Sequence, residues 1–398
     1  MNRGNCRKEE DWLAYLDNSA TTETDPAVIS VMADVMKKIY GNPSSLHGIG
    51  VKAERLMEQA RKVVADALSC LPHEIVFTSG GTEANNMVIR GVAEAYHHRG
   101  NHMITSPIEH PSVYHVFQYL KQKGWKITEL PVDSSGRVNP ADVETALTDE
   151  TVLVSVMHVN NEVGTIQPVE EIGNRLKKYP KVMFHVDAVQ SFGKIPLHPS
   201  RSHIDFLTIS GHKLHGPKGI GCLYKRKNLT LPSLLLGGGQ ERGLRSGTEN
   251  LPAIAGLAKA VLLAKEAEET FYQKYQTWKE MILTRIENEL TGVKINGDID
   301  DGGAPYILNL SFPGLKSEVI VHALEKEQVY VSSKSACSSK KEEPSRVLKA
   351  MGLTDQEALG SIRISMGRMN VEEDIKQCCD VLVRTIPALQ KVMKVHKR

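Results

Sequence analysis

Ile204-Asp205-Phe206-Leu207-Thr208-Ile209-Ser210-Gly211-His212-Lys213-Leu214-His215-Gly216-Pro217-Lys218-Gly219 runs from an apolar stretch into a loop of glycines, histidines and lysines. Residues 204–209 read as a buried strand, and Ile220 to Tyr224 as a second short one. A lysine flanked by histidines and glycines at a strand end is well placed to hold a ligand. Lysine amines form Schiff bases with carbonyl cofactors such as pyridoxal phosphate. Ser-Gly-His-Lys taken alone fits a glycine-rich hairpin loop with a solvated lysine better. The neighbouring stretches decide between the two.

Upstream of this stretch, strands and helices alternate. Glu74 to Thr78, His102 to Ser106, Lys126 to Pro131, Val152 to His158 and Val182 to Val186 read as strands. Thr82 to Tyr96, Val113 to Lys123 and Val169 to Lys178 read as the helices between them. That rhythm predicts an α/β fold with a mainly parallel sheet covered on both faces, and ligands at the carboxyl ends of its strands. Before it come a short strand at Tyr15, a helix from Pro26, and a helix whose Ala53, Leu56, Met57, Ala60, Val63, Val64, Ala67 and Leu68 keep one buried face. After Gly237-Gly238-Gly239 the rhythm changes to a long helix from Pro252 to Leu290. Strands at Tyr306 to Phe312, Val329 to Ser332 and Ser361 to Met366 follow, with a helix at Ser317 to Glu327 and a terminal one near Val371. The expected division is a large α/β domain over residues 15–260 and a smaller α+β domain over 261–398, joined by the N-terminal segment 1–25.

The 398 residues are 41 % hydrophobic and 24 % charged, ordinary for a globular chain with a sizeable core. A net charge of +2 gives no electrostatic case for binding nucleic acid or a membrane surface. No apolar run reaches the roughly 18 residues of a membrane span. The polar start MNRGNCRKEEDW does not read as a signal peptide. Cys6, Cys70, Cys222, Cys337, Cys378 and Cys379 form no CxxC and no regular framework, which favours free thiols in a reducing, cytoplasmic setting and calls for no metal.

Polar residues cluster just after the strands. Ser79-Gly80-Gly81-Thr82-Glu83 lies where a strand becomes a helix. Glycines there admit a ligand close to the backbone, and the helix start attracts anions. The same residues also make an ordinary turn. Asp187, in His185-Val186-Asp187-Ala188-Val189-Gln190, ends an apolar strand; it can pair with a protonated pyridine nitrogen or cap a helix. His110 follows another strand end and can stack on an aromatic ring or move protons. Asn160-Asn161-Glu162 ends the Val152 strand. In Ser332-Ser333-Lys334-Ser335-Ala336-Cys337-Ser338-Ser339-Lys340-Lys341 a cysteine sits in a hydrophilic loop beside lysines that favour the thiolate. A helix is expected from Pro344.

Taken together, YLDNSATT, GNPSSLH, VFTSGGTEANN, EHPSV, MHVNNEVGTIQP, HVDAVQS, SGHKLHGPKGIG, GGGQERGLRSGTEN, SSKSACSS and SIRISMGR, in this order from Tyr15 to about Asn370, resemble the cysteine desulfurases of the NifS/IscS type. These belong to the class V group of pyridoxal-phosphate enzymes. The resemblance implies an aspartate-aminotransferase-like fold working as a homodimer. Lys213 would carry pyridoxal 5'-phosphate as a Schiff base and Asp187 would pair with its ring nitrogen. Gln190 would bond its phenolic oxygen and His110 would stack on the ring. Gly81, Thr82, Ser210 and His212 would hold the phosphate, joined by Thr248 of the partner subunit. Asn161 and Arg363 would hold the substrate carboxylate, and Cys337 would accept the sulfur.

The implied reaction turns L-cysteine into L-alanine and leaves sulfur on the enzyme as a persulfide. A sulfur-acceptor protein, such as an iron–sulfur scaffold or a tRNA-thiolation protein, would take it on. Lys334 departs from the pattern, since many members carry glycine there. The span from Cys337 to Pro344 has the extended length of the NifS/IscS group. Selenocysteine lyase or aminotransferase activity, and a non-catalytic sulfur-carrier role, are the competing readings. The exposed cysteine argues against a plain aminotransferase, and the retained Lys213, Asp187, His110 and Cys337 argue against a non-catalytic carrier.

Overall fold

Short apolar runs build the centre of the molecule. The computed structural model describes residues 13–333 and 343–395. In chain order they form β1 (Ala14–Tyr15), α1 (Pro26–Lys38), α2 (Gly48–Leu68), β2 (Ile75–Thr78), α3 (Gly81–Ala95), β3 (His102–Thr105), α4 (Pro111–Gln122), β4 (Lys126–Glu129), α5 (Pro140–Ala146), β5 (Thr151–Ser155), α6 (Val169–Leu176), β6 (Met183–Asp187), β7 (Phe206–Ser210) and β8 (Gly221–Lys225). β2 to β8 make one seven-stranded sheet in the order β2-β8-β7-β6-β5-β3-β4. β8 alone runs against its neighbours. Its link to β7 is too short for the crossover that a parallel partner needs. The remaining pairs are parallel, as the alternation predicts. Every residue of β5, β6 and β7 is buried, which is why those strands read as continuous apolar runs and not as alternating ones.

Helices cover both faces. One core packs α1, α2 and the first part of a long helix, α7 (Leu251–Glu289), against the sheet. The opposite core is built on α3 and α4. The rest of the chain forms β9 (Lys294–Asn296), β10 (Ile307–Ser311), α8 (Ser317–Glu325), β11 (Val329–Tyr330), α9 (Arg346–Ala350), α10 (Asp355–Leu359), β12 (Ser361–Ser365) and α11 (Glu372–Val395); a third core lies among them, while α9 and α10 pack in a smaller cluster with Ile108, Met157 and Val163. β9, β10 and β12 pair antiparallel, and the N-terminal β1 pairs with β11. The expected domain boundary at 260/261 falls inside α7. That helix gives Leu257 and Val261 to the first core, and Tyr275, Trp278, Ile282 and Ile286 to the third. The helix expected at Pro344 begins at Arg346, with the Ser345 hydroxyl accepting from Leu348 N. The seven-residue α5 buries only Val143, too little to leave an amphipathic signature.

A buried ion pair holds the glycine-rich loop before α7. Arg61 on α2 meets both carboxylate oxygens of Glu241, at 2.8 and 2.9 Å. Arg61 also donates to Ile75 O, and Phe77 N donates to Glu241. Loss of Glu241 leaves the buried Arg61 with the half-exposed Glu58, 3.0 Å from its Nε, in place of a bidentate partner in the core. Glu241→Ala should therefore destabilise the fold by about 3–5 kcal/mol, and a paired apolar replacement of Arg61 and Glu241 should recover most of it. Urea unfolding of the three proteins reads the difference.

Candidate active site

Because β2, β3, β5, β6 and β7 point the same way, the residues after each of them meet at one edge of the sheet. They enclose a cleft with roughly 730 Å³ of empty space including its mouth, within the usual size of a small-ligand site. Gly81, Thr82, His110, Asn161, Asp187, Gln190, Ser210, His212, Lys213 and Arg363 all line it. Ser19, Ala20, Asn85, Ser112, Met157 and Val189, which the motif reading did not single out, line it too.

Lys213 closes a single turn of 3-10 helix after β7. Its Nζ donates to the carbonyls of Ser19 and Ala20, the latter at 2.6 Å. The segment after β1 therefore wraps the lysine loop: Thr22 N and Oγ1 both donate to His212 O, and His212 Nδ1 lies 3.2 Å from Thr21 Oγ1. Ser19, Thr21 and Thr22 make this turn rich in hydroxyls, but nothing local marks its partner 190 residues on. Gly221 lets β8 pass close by, since a Cβ there would come within 2.8 Å of Gly80 Cα. Gly80 precedes α3 at φ 150°, with no side-chain cap. The N–H groups of Gly81, Thr82 and Glu83 come before the first helical bond, from Ala84 N to Gly80 O, so the helix start can accept an anion.

Asp187, 4 % exposed, accepts from Asn85 Nδ2 at 2.8 Å and from Val189 N at 3.0 Å. Gln190 donates to Ser19 O at 3.0 Å and keeps a second amide hydrogen. Its Oε1 is buried without a partner among the described residues. His110 caps α4. Burial holds its imidazole below the usual histidine range; Lys213, Arg346 and His115 add to that effect and Asp187 opposes it. Burial, with Lys213 and Lys218 nearby, takes His212 down to about 3. Both rings are therefore neutral at physiological pH. Arg363, on β12, donates to Asn161 O at 2.7 Å and to Asp17 Oδ1 at 2.8 Å. Its Nε is buried with no partner among the described residues.

Thr248 is exposed and does not line its own chain's cleft. Its loop is tied to the first turn of α3 by Arg245 and Glu83 at 2.9 Å. Cys337 and Lys334 lie outside the described residues. The residues that flank them are rooted at the cleft walls. Ser332 exchanges backbone bonds with Arg363, Ser345 donates to Glu162, and Arg346 donates to Glu109 O while lying over the Tyr114 ring at 3.8 Å.

The family model Aminotransferase class-V matches residues 14–378. The chain belongs to the class V aminotransferases. Among its class V relatives, the Putative cysteine desulfurase IscS 1 of Bacillus subtilis is 45% identical over 363 residues, 91% of this chain and 95% of that protein. The Cysteine desulfurase IscS of Clostridium botulinum is 43% identical over 373 residues, 94% of each. A solved NifS-like protein superposes with a TM-score of 0.89 at 38% identity, covering 95% of this chain and all of that one. The structure described as SspA in complex with cysteine superposes at 0.78 with 36% identity, covering 90% of this chain and all of that one.

The class V cleft also has a buried acid at its back. Glu109 accepts from the Ser106 hydroxyl and from Met157 N. Burial raises its carboxyl from 4.5 to about 8, so it is neutral at pH 7. A raised folded-state value means that the native protein holds the extra proton. This contribution is complete below about 4.5 and is lost as pH rises through about 8. Urea unfolding between pH 5 and 8.5 should show wild-type stability falling more steeply with pH than that of Glu109→Gln, whose amide cannot ionise. Parallel slopes would show that Glu109 is ionised in the fold.

Proposed function

We propose that the protein is a pyridoxal-phosphate-dependent cysteine desulfurase, converting L-cysteine to L-alanine and passing the sulfur to Cys337 as a persulfide. The observation that carries this reading is the cleft itself. In a class V chain with desulfurase relatives, one sheet edge gathers an amine, a carboxylate, a neutral imidazole and an open helix start.

The donor set suits the cofactor. The Lys213 amine matches its aldehyde and Asp187 its ring nitrogen. Gln190, with its unpaired Oε1 and remaining amide hydrogen, suits its ring substituents. Gly81, Thr82, Ser210 and His212 suit its phosphate, joined by Thr248 of the partner subunit in a homodimer. When bound, the cofactor supplies an electron sink for charge left at the substrate Cα.

The chain supplies the rest. Lys213 Nζ takes the proton from Cα, and its carbonyl partners at Ser19 and Ala20 steer the amine. His110 holds a proton at the cleft wall. Arg363, with an unused Nε–H, and Asn161 orient the substrate carboxylate. The Cys337 thiolate attacks the substrate sulfur. The C–S bond breaks, alanine keeps the carbon skeleton, and the thiol becomes a persulfide with no outside oxidant. A sulfur-acceptor protein then relieves the enzyme of the persulfide, in a cytoplasmic setting. Among the described residues no helix is long and apolar enough to cross a membrane.

Borohydride treatment of the yellow protein followed by peptide mapping should place the pyridoxyl group on Lys213; label on Lys218 would overturn the assignment. Cys337→Ser should keep its cofactor and still change colour with L-cysteine, yet yield almost no alanine and no protein-bound persulfide. Steady alanine formation by that variant would make another cysteine the acceptor.

A further inference from the structure

Asn85 sits on α3, 1 % exposed, and lines the cleft. Its Nδ2 donates to Asp187 Oδ2 at 2.8 Å and to Ser112 Oγ at 2.9 Å. A carboxylate oxygen only accepts, so the amide nitrogen has to face Asp187 and the orientation of the group is set. Asn85 Oδ1 has no partner among the described residues.

The Ser112 hydroxyl accepts from Asn85 and lies 2.8 Å from His110 Nδ1, and the backbone donor beside it makes that nitrogen an acceptor, so the hydroxyl hydrogen points to Nδ1. Ser112 N–H also donates to that nitrogen, at 3.2 Å. With two donors aimed at Nδ1, no proton can sit there. The neutral ring carries its proton on Nε2. The contact that caps α4 is thus the one that selects the tautomer.

We infer that Asn85 is a positioning residue for the reaction proposed above: its amide orients the Asp187 carboxylate and holds the Ser112 hydroxyl as a donor to His110 Nδ1, reinforcing the Nε2–H tautomer that the Ser112 N–H sets. The inference rests on reading the Lys213 cleft as the cofactor site. The charged or titratable groups facing His110 are Asp187 from β6, His212 and Lys213 after β7, Arg346 from α9 and His115 from α4. None of them selects between the two ring nitrogens through a hydrogen bond; Ser112 does. In this tautomer His110 carries its hydrogen on the nitrogen not bound by Ser112, so at neutral pH it serves as a proton donor.

The test uses holoenzyme reconstituted with pyridoxal phosphate. Ser112→Ala removes the hydroxyl donor to His110 and leaves the backbone donor, Ser112→Thr keeps a hydroxyl, and Asn85→Ala removes the support of both Asp187 and the Ser112 hydroxyl. Three readouts are taken: kcat and kcat/KM for alanine formation against pH, loss of the visible cofactor band on dialysis, and the melting temperature. Ser112→Ala should lower kcat roughly tenfold and displace the pH profile while cofactor loss stays at the wild-type rate; Ser112→Thr should restore both. Asn85→Ala should displace the profile and also release cofactor roughly tenfold faster, about one charge-assisted hydrogen bond. A Ser112→Ala enzyme with the wild-type pH profile overturns the inference. So does an Asn85→Ala enzyme that melts earlier but keeps the wild-type profile and cofactor retention. If Asn85→Ala does not fold, the Ser112 pair decides. Wild-type protein without a visible band overturns the site reading and this inference with it. A normal wild-type band with unchanged variant profiles overturns this inference alone.

Discussion

Arg363 is almost completely buried, and a guanidinium in that position has to be compensated. Its partners are Asp17, 346 residues away, and the carbonyl of Asn161, 202 residues away. One side chain therefore draws together the β12 sheet, the segment after β1 and the turn after β5. The backbone of Arg363 also pairs with Ser332, so the chain leading toward Cys337 starts from the same point. The cleft depends on this junction, because Ser19 and Ala20 reach Lys213 only if the N-terminal segment is held against the sheet edge.

Around that junction the protonation states are set mainly by burial. His110 and His212 are held neutral, and Glu109 keeps its proton. Buried imidazoles away from the cleft behave alike: His185, bridging Ser155 and Thr208 across three strands, is pushed down to about 3. Beside the neutral His110 and His212 rings the cleft is lined by Asp187, Lys213 and Arg363. In such surroundings the direction of each hydrogen bond matters more than the count of charges. The amide of Asn85 donates twice and accepts from no described group, so it polarises the path from Asp187 to His110 in one sense.

Much of the architecture was legible in the sequence. The alternation from Glu74 onward predicts the parallel sheet because fully buried strands leave continuous apolar runs, and α2 announces itself through one apolar face. The polar residues just after the strands also marked the sheet edge that became the cleft. Less legible were α5 and β9, too short to show a period, and the boundary expected near residue 260. α7 is buried on nearly every side from Leu251 to Ala264 and on one face from Tyr275 to Ile286, so the two cores share one continuous helix with no break between them.

The sequence by itself determined the order of the elements and which chemical groups stand at the strand ends. Both follow from local periodicity and from side-chain chemistry. Tertiary structure decided which atoms of those groups meet. Asn85 and Asp187 are 102 positions apart, and Lys213 and Ser19 are 194 apart. Locally Asn85 is one more polar residue on a helix and Ser19 one residue of the segment after β1. Their roles at the cleft arise from donors and acceptors brought within 3 Å by the packing of distant segments, and no local pattern encodes the direction of such a bond.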